Sequence, residues 1–144
     1  MFKQLFGSLL ITLSLMSFAQ AGQKQTVGNY DIHYMALDST FLTPEIARFY
    51  DIKRSKYTGL VNITVKNMKT EGHPAVAVQI QGTANNLLDA RRTLNFREIR
   101  EGQSIYYIAE VPFRDDQTIN FNIAIRHKKD LNTVLKFKQK FFID

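Results

Sequence analysis

The sequence predicts an all-β fold, an immunoglobulin-like antiparallel β-sandwich of about seven strands with one short helical insertion. Three observations carry the prediction. From residue 30 onward, apolar and polar residues alternate at period two, and turn-forming clusters interrupt the alternation repeatedly. A single short segment switches to helical spacing. The chain has no cysteine and is 44% hydrophobic, so packing rather than cross-linking must hold it together. A chain of this size buries about two thirds of the surface it exposes when unfolded, enough for a core without metal or disulfides.

Residues 1–21 stand outside that pattern. Lys3 gives a positive start, residues 8–18 (SLLITLSLMSF) form a short apolar stretch, and Ala19-Gln20-Ala21 places small residues where a signal peptidase cuts. The stretch is shorter than the roughly 20 apolar residues of a spanning helix. We read a cleavable signal peptide at 1–21 and a single domain at 22–144, exported to a bacterial periplasm. Removing Lys3 from the 19 Lys and Arg leaves 18 against 13 Asp and Glu. Without cysteine there is no lipid attachment and no thiol chemistry, and no apolar run after residue 21 is long enough for a transmembrane segment. An exported protein meets little nucleic acid. Its basic excess points instead to an envelope protein or an anionic envelope component as partner.

The first strand is expected at 30–37, with Ile32, Tyr34 and Ala36 on one face. Thr43-Pro44-Glu45 then supplies an N-cap residue, a proline for the first helical position and an acid for the first turn. Leu42, Ile46, Phe49 and Tyr50 follow at helical spacing. One or two turns of helix are expected here, packed over the end or edge of the sandwich, with Phe41, Leu42, Ile46, Phe49 and Tyr50 capping its core. The second strand, 57–67, turns Val61, Ile63 and Val65 inward and Asn62, Thr64 and Lys66 outward. Gly72-His73-Pro74 interrupts, and the third strand, 75–81, sends Val76, Val78 and Ile80 inward.

Asn85-Asn86 turns the chain. The fourth strand, 93–100, carries Leu94 and Phe96, and its mixed continuation Arg97-Glu98-Ile99 suggests a bulge or an edge; Gly102 ends it. The fifth, 105–111, aligns Ile105, Tyr107, Ala109 and Val111. After the polar turn Arg114-Asp115-Asp116-Gln117, the sixth has the cleanest alternation, Ile119, Phe121, Ile123 and Ile125, and is expected to be central. The seventh follows a basic turn at 126–130, with Leu135, Phe137 and Phe141 on one side and Lys136, Lys138 and Lys140 on the other.

Three runs, FLTPEIARFYDIKRS at 41–55, IYYIAE at 105–110 and LKFKQKFF at 135–142, resemble a family of small exported gammaproteobacterial proteins known as domain of unknown function 4426. The likeness covers almost the whole mature chain. It implies a β-rich periplasmic domain. That family has no established activity, so the resemblance gives no residue a role.

Chemistry-bearing patterns are sparse. His33, His73 and His127 stand singly, with no histidine or cysteine partner at ligand spacing, so no metal or other cofactor is expected. Asp115-Asp116 lacks the further oxygens and the glycine of a calcium loop, and there is no Gly-x-Ser-x-Gly elbow. Two surfaces are binding candidates. Arg48, Tyr50 and Arg54 flank the helical segment, where a guanidinium fork can grip a carboxylate or phosphate and a tyrosine adds contact area. Lys136, Lys138 and Lys140 emerge on one face of the seventh strand about 7 Å apart. Lysine on an edge strand also blocks edge-to-edge aggregation, and that reading is placed ahead. The expectation is a non-catalytic binding or interaction module. Two alternatives stand beside it: a small enzyme with a site built from His33, Glu45 and Tyr50, and a structural component that pairs through an edge strand free of lysine and proline.

Overall fold

The structure, a computed structural model, describes residues 22–88 and 91–143; the signal peptide expected at 1–21 lies outside the described residues. In chain order the strands are β1 (Gln23–Val27), β2 (Tyr30–Asp38), β3 (Thr58–Asn67), β4 (Gln79–Asn85), β5 (Arg92–Leu94), β6 (Arg97–Glu101), β7 (Ser104–Pro112), β8 (Gln117–His127) and β9 (Leu131–Phe141). They form two antiparallel sheets, β1-β2-β3-β7-β6 and β5-β4-β8-β9. Lettered from β2 onward as in an immunoglobulin domain, these orders are A-B-E-D and C′-C-F-G. The sandwich is immunoglobulin-like, with β1 as an extra strand beside the first.

Alternation places the core where the sequence predicts it. Ile32 of β2, Val61, Ile63 and Val65 of β3, Ile105, Tyr107, Ala109 and Val111 of β7, and Ile119, Phe121, Ile123 and Ile125 of β8 are buried in one cluster with Leu135 and Phe141 of β9. An antibody domain centres this space on a tryptophan and a disulfide. This chain has neither residue type, and stacked rings fill the space instead: Phe121 on Phe137 and Phe113 on Phe141, each pair with centroids 4.8 Å apart. Gly59 belongs to the same arrangement, because a Cβ there would lie 2.6 Å from Phe141 Cε1.

Four features differ from the sequence expectation. β1 is polar in sequence (QKQTV) and is made a strand by its five-residue register with β2 rather than by burial. The third strand starts late, at Gln79. Val76 and Val78 do pack on the core, but the Val76 N–H bonds Val65 O at 2.9 Å and the Val78 N–H is taken by the Tyr107 hydroxyl at 2.8 Å, so this stretch crosses between sheets without a ladder of its own. The expected fourth strand is two strands, since β5 pairs with β4 in one sheet and β6 with β7 in the other. The chain changes sheets at Asn95-Phe96, which accounts for the mixed pattern there.

The fourth difference decides the site. Helix α1 (Pro44–Phe49) begins as predicted, with Thr43 Oγ1 accepting the Ile46 N–H at 3.2 Å and Pro44 in the first turn. It does not sit over the end or edge of the sandwich, and it does not cap the main core. It lies on the outer face of the first sheet, where Ala47 and Ile52 pack with Leu60 of β3 and Ile108 of β7, joined by Leu42, Tyr50, Ile99 and Tyr106. Phe41, Ile46 and Phe49 are left 75%, 44% and 79% exposed. The cause is in the strands: Leu60 beside Val61, and Ile108 beside Ala109, put apolar side chains on both faces of the sheet. A sheet that is apolar on both faces needs a cover on each.

Candidate functional site

Residues 39–57 form a compact loop whose neck is closed by one side chain. Ser39 is fully buried; its Oγ donates to Ser55 O at 2.8 Å and accepts from the Ser55 N–H at 2.9 Å. Arg54 Nη2 donates to Thr40 O at 3.1 Å, and Arg97 Nη1 donates to Asp51 O at 3.0 Å. Asp51 has φ of 55° and ends α1 in the left-handed conformation, while the Ile52 N–H returns to Ala47 O at 2.7 Å. The Tyr50 hydroxyl donates to Glu101 Oε2. That bond first, and burial second, push the Tyr50 pKa up to about 12, so the phenol stays protonated and the link persists.

Beneath this loop is a cavity of about 240 Å³ walled by Leu37, Leu42, Tyr50, Ile52, Leu60, Tyr106 and Ile108, with Asn62 as the polar exception. Beyond the loop the same sheet face opens into a hollow of about 490 Å³ whose lining includes His33, Thr64, Lys66, His73 and Ser104. Asn62 and Tyr106 line both spaces. The face therefore runs from an apolar end to a polar end through Asn62. Asn62 Oδ1 is shut off from solvent and has no hydrogen-bond partner, and it is the one such side-chain atom among the described residues.

The polar end is electrically organised by strand register. His33 lies opposite Thr64, and Asp31 opposite Lys66. Burial, and next the Lys66 ammonium, hold the His33 imidazole below its ordinary pKa. Asp31 is buried, but the Thr26 hydroxyl at 2.6 Å and the Lys24 ammonium at 3.6 Å keep its carboxyl below the usual carboxylate range. Lys66 forms no ion pair within 4.0 Å among the described residues, so its charge is available to the hollow.

The six residues singled out from sequence do not gather. Tyr50 walls the apolar cavity, Arg48 is exposed in the last turn of α1, and Arg54 ties the two ends of the loop together at Thr40. Lys136, Lys138 and Lys140 lie opposite Asn122, Asn120 and Thr118 on the outer face of the second sheet, and Lys140 pairs with Asp116 at 3.0 Å. β9 is one edge of that sheet. Nor do His33, Glu45 and Tyr50 converge: His33 lines the polar hollow, the Tyr50 hydroxyl is on Glu101, and Glu45 is exposed in the first turn of α1. His33, His73 and the Met35 thioether share the polar hollow, while His127 Nδ1 is 2.7 Å from Ala77 O. Among the described residues no group of three or more His, Asp or Glu is placed to hold a metal ion.

The edge strands β1, β5, β6 and β9 each carry lysine or arginine. β1 pairs with β2 only as far as Tyr34. The following Met35, Ala36 and Leu37 border a hollow of about 620 Å³ with Phe41 and Phe137. Sequence reasoning missed Asn62, Leu60, Tyr106 and Ile108 as site residues. The available signal was the pairs of adjacent apolar residues in β3 and β7, which break period two.

The chain belongs to the family described as domain of unknown function (DUF4426), whose model matches residues 24–144. It is similar to the crystal structure of a DUF4426 family protein from Pseudomonas aeruginosa PAO1, with 30% identity and a TM-score of 0.74, covering 87% of this chain and 98% of that one. Two FetP structures from uropathogenic Escherichia coli strain F11 share the fold. A copper-bound variant has 12% identity and a TM-score of 0.57, covering 84% of this chain and 95% of that one. The as-isolated protein, expressed recombinantly in the periplasm, has 11% identity and a TM-score of 0.57, covering 85% and 94%. No curated protein matches. Among the described residues no helix is long and apolar enough to cross a membrane.

Proposed function

We propose that this DUF4426 member is a non-catalytic binding module of the bacterial periplasm, a single domain released by cleavage after residue 21, that takes a small amphipathic molecule on the outer face of its first sheet. The apolar part of the ligand sits under the 39–57 loop against Leu60, Tyr106 and Ile108. The polar head lies toward His33, Thr64 and Lys66 and carries a negative charge and a hydroxyl or amide donor. Tyr50 packs against the apolar part. Arg48 and Arg54 stand on the outer surface of the loop, and Lys136, Lys138 and Lys140 protect the edge of the other sheet.

The observation that carries this reading is the Asn62 amide. A buried acceptor without a donor costs about 1–3 kcal/mol. Here it sits where an apolar and a polar space meet. The oxygen is enclosed, so a ligand donor reaches it when a side chain of the lining turns, and the relief of that cost adds to binding.

The test is an NMR titration with 3-hydroxyoctanoate and octanoate. The hydroxy acid should bind about tenfold tighter, the worth of one hydrogen bond to a buried, otherwise unpaired group. Shifts should centre on Leu60, Asn62, Tyr106 and Ile108. Asn62→Leu should raise unfolding stability and erase the preference for the hydroxyl. Shifts scattered over the surface, or no binding of either acid, would sink the proposal.

A further inference from the structure

The space between the sheets opens at one end of the sandwich, where β3, β5 and β8 begin and β4 and β7 finish. The opening is a hollow of about 210 Å³. Its floor is the last layer of the core, Ala84, Val111, Phe113 and Ile119, all buried. Its rim carries Tyr57, Arg92, Arg114 and Gln117. The Phe113 N–H donates to Tyr57 O at 2.9 Å, which holds the end of the 39–57 loop against the turn from β7 to β8.

Register explains why a charge stands at this mouth. Arg92 lies opposite Ala84 and two residues before Leu94, both of them buried, so it occupies an inward position of β5. Inward positions are ordinarily apolar. Gln117 is likewise inward, two residues before the buried Ile119. Its Oε1 accepts the Arg114 N–H at 2.8 Å, which leaves the amide NH2 as the group it offers to the hollow.

Among the described residues no carboxylate lines this hollow, and neither Arg92 nor Arg114 forms an ion pair or a side-chain hydrogen bond. The acids of the neighbouring turn are engaged elsewhere: Asp116 is held by Lys140 at 3.0 Å, and the Asp115 carboxylate accepts the Ile143 N–H at 2.7 Å. Lys56 brings a further cation to the rim, its Nζ 5.4 Å from the centre of the Tyr57 ring. Two guanidinium groups without acid partners, an amide donor and the Tyr57 hydroxyl thus stand around an apolar floor.

We propose that this mouth is a second binding site, for a small organic anion whose carboxylate or phosphate is gripped by Arg92 and Arg114 and whose compact apolar body rests on Val111, Phe113 and Ile119. A guanidinium fork donates two parallel hydrogen bonds to either group, and such charge-assisted bonds are about twice as strong as neutral ones. At about 30 Å³ for each water-sized group, the volume matches a body of one ring rather than a long acyl chain. The observations are separate from those behind the ligand cavity on the first sheet.

The test is an amide NMR titration with benzoate, with phenyl phosphate and with uncharged benzamide. One anion or both should give saturating shifts centred on Tyr57, Phe113, Arg114 and Gln117, with Leu60 and Asn62 unmoved, and the tighter of the two identifies the anionic group. Benzamide should bind about tenfold more weakly or less. Arg92→Gln and Arg114→Gln should each weaken anion binding about tenfold, with the thermal midpoint unchanged because neither guanidinium has a partner in the fold to lose. A loss of affinity in either variant supports the proposal. It is overturned if neither anion saturates those shifts, if benzamide binds as tightly as the anions, or if both arginine variants bind as the parent does.

Discussion

The outer faces of the two sheets are made of similar strands and end in opposite states. On the second sheet the outward positions are mostly small or polar: Gln81 and Thr83 of β4, Asn120, Asn122 and Ala124 of β8, Lys136 and Lys138 of β9, with Val134 of β9 as an apolar exception. That face is complete as it stands. On the first sheet Leu60, Ile99, Tyr106 and Ile108 turn outward and pack with Leu42, Ala47, Tyr50 and Ile52 of the covering loop. The loop is thus positioned by the strands beneath it, and the cavity is the space its short helix leaves unfilled. Asn62 shows the consequence, since an amide that would be wet on the second sheet is stranded on the first.

Paired truncations test that contrast most severely. Leu60→Ala should cost about 2–5 kcal/mol in chemical denaturation, because Leu60 is 2% exposed and packed on its outward side. Asn122→Ala, at an outward position of the other sheet, should stay within about 0.5 kcal/mol. Equal losses at the two positions would break the comparison.

Next in size is Ser39→Ala, which leaves both the N–H and the carbonyl of Ser55 without their partner. A loss of about 1–3 kcal/mol is expected, with faster amide exchange in 39–57 and unchanged protection in β8. Uniform exchange across both sheets would show that the loop does not open as a unit.

The smallest effects concern pH and the polar end of the first face. The folded-state pKa of Asp31 is lowered, so its contribution is complete above its unfolded value, about 3.9, and is lost as pH falls through the lower folded value. His33 is also lowered. Below about 6.5 the unfolded chain takes up a proton that the folded chain refuses, and stability falls with pH until the folded value is passed. Urea titrations should show Asp31→Asn flattening the acid limb and His33→Gln the segment just below neutrality. If both variants follow the parent profile, neither group is linked to folding.

Much of the sandwich was legible in the chain. Val61, Ile63 and Val65, or Ile119 through Ile125, declare an inward face because side chains two residues apart share a side of a strand. The N-cap at Thr43 was equally legible, since capping involves residues three apart. The change of sheet at Asn95-Phe96 was visible only as irregularity, because nothing local tells a bulge from a crossing. The candidate site was the least legible part. Arg48, Tyr50 and Arg54 stand out as residue types, and the structure uses Tyr50 to fasten the loop to Glu101 and Arg54 to tie the ends of the loop together at Thr40.

The sequence by itself determined the period-two faces, the helix start and a core that needs neither cysteine nor tryptophan, all of which rest on neighbours a few residues apart. Tertiary structure decided which face receives the helix, that polar β1 becomes a strand, and that Asn62 loses its water. Those outcomes depend on segments that meet only after folding, as when Ala47 and Ile52 reach Leu60 and Ile108. An outward side chain is polar or apolar in the sequence, but whether it faces solvent is set by what the rest of the chain places over it.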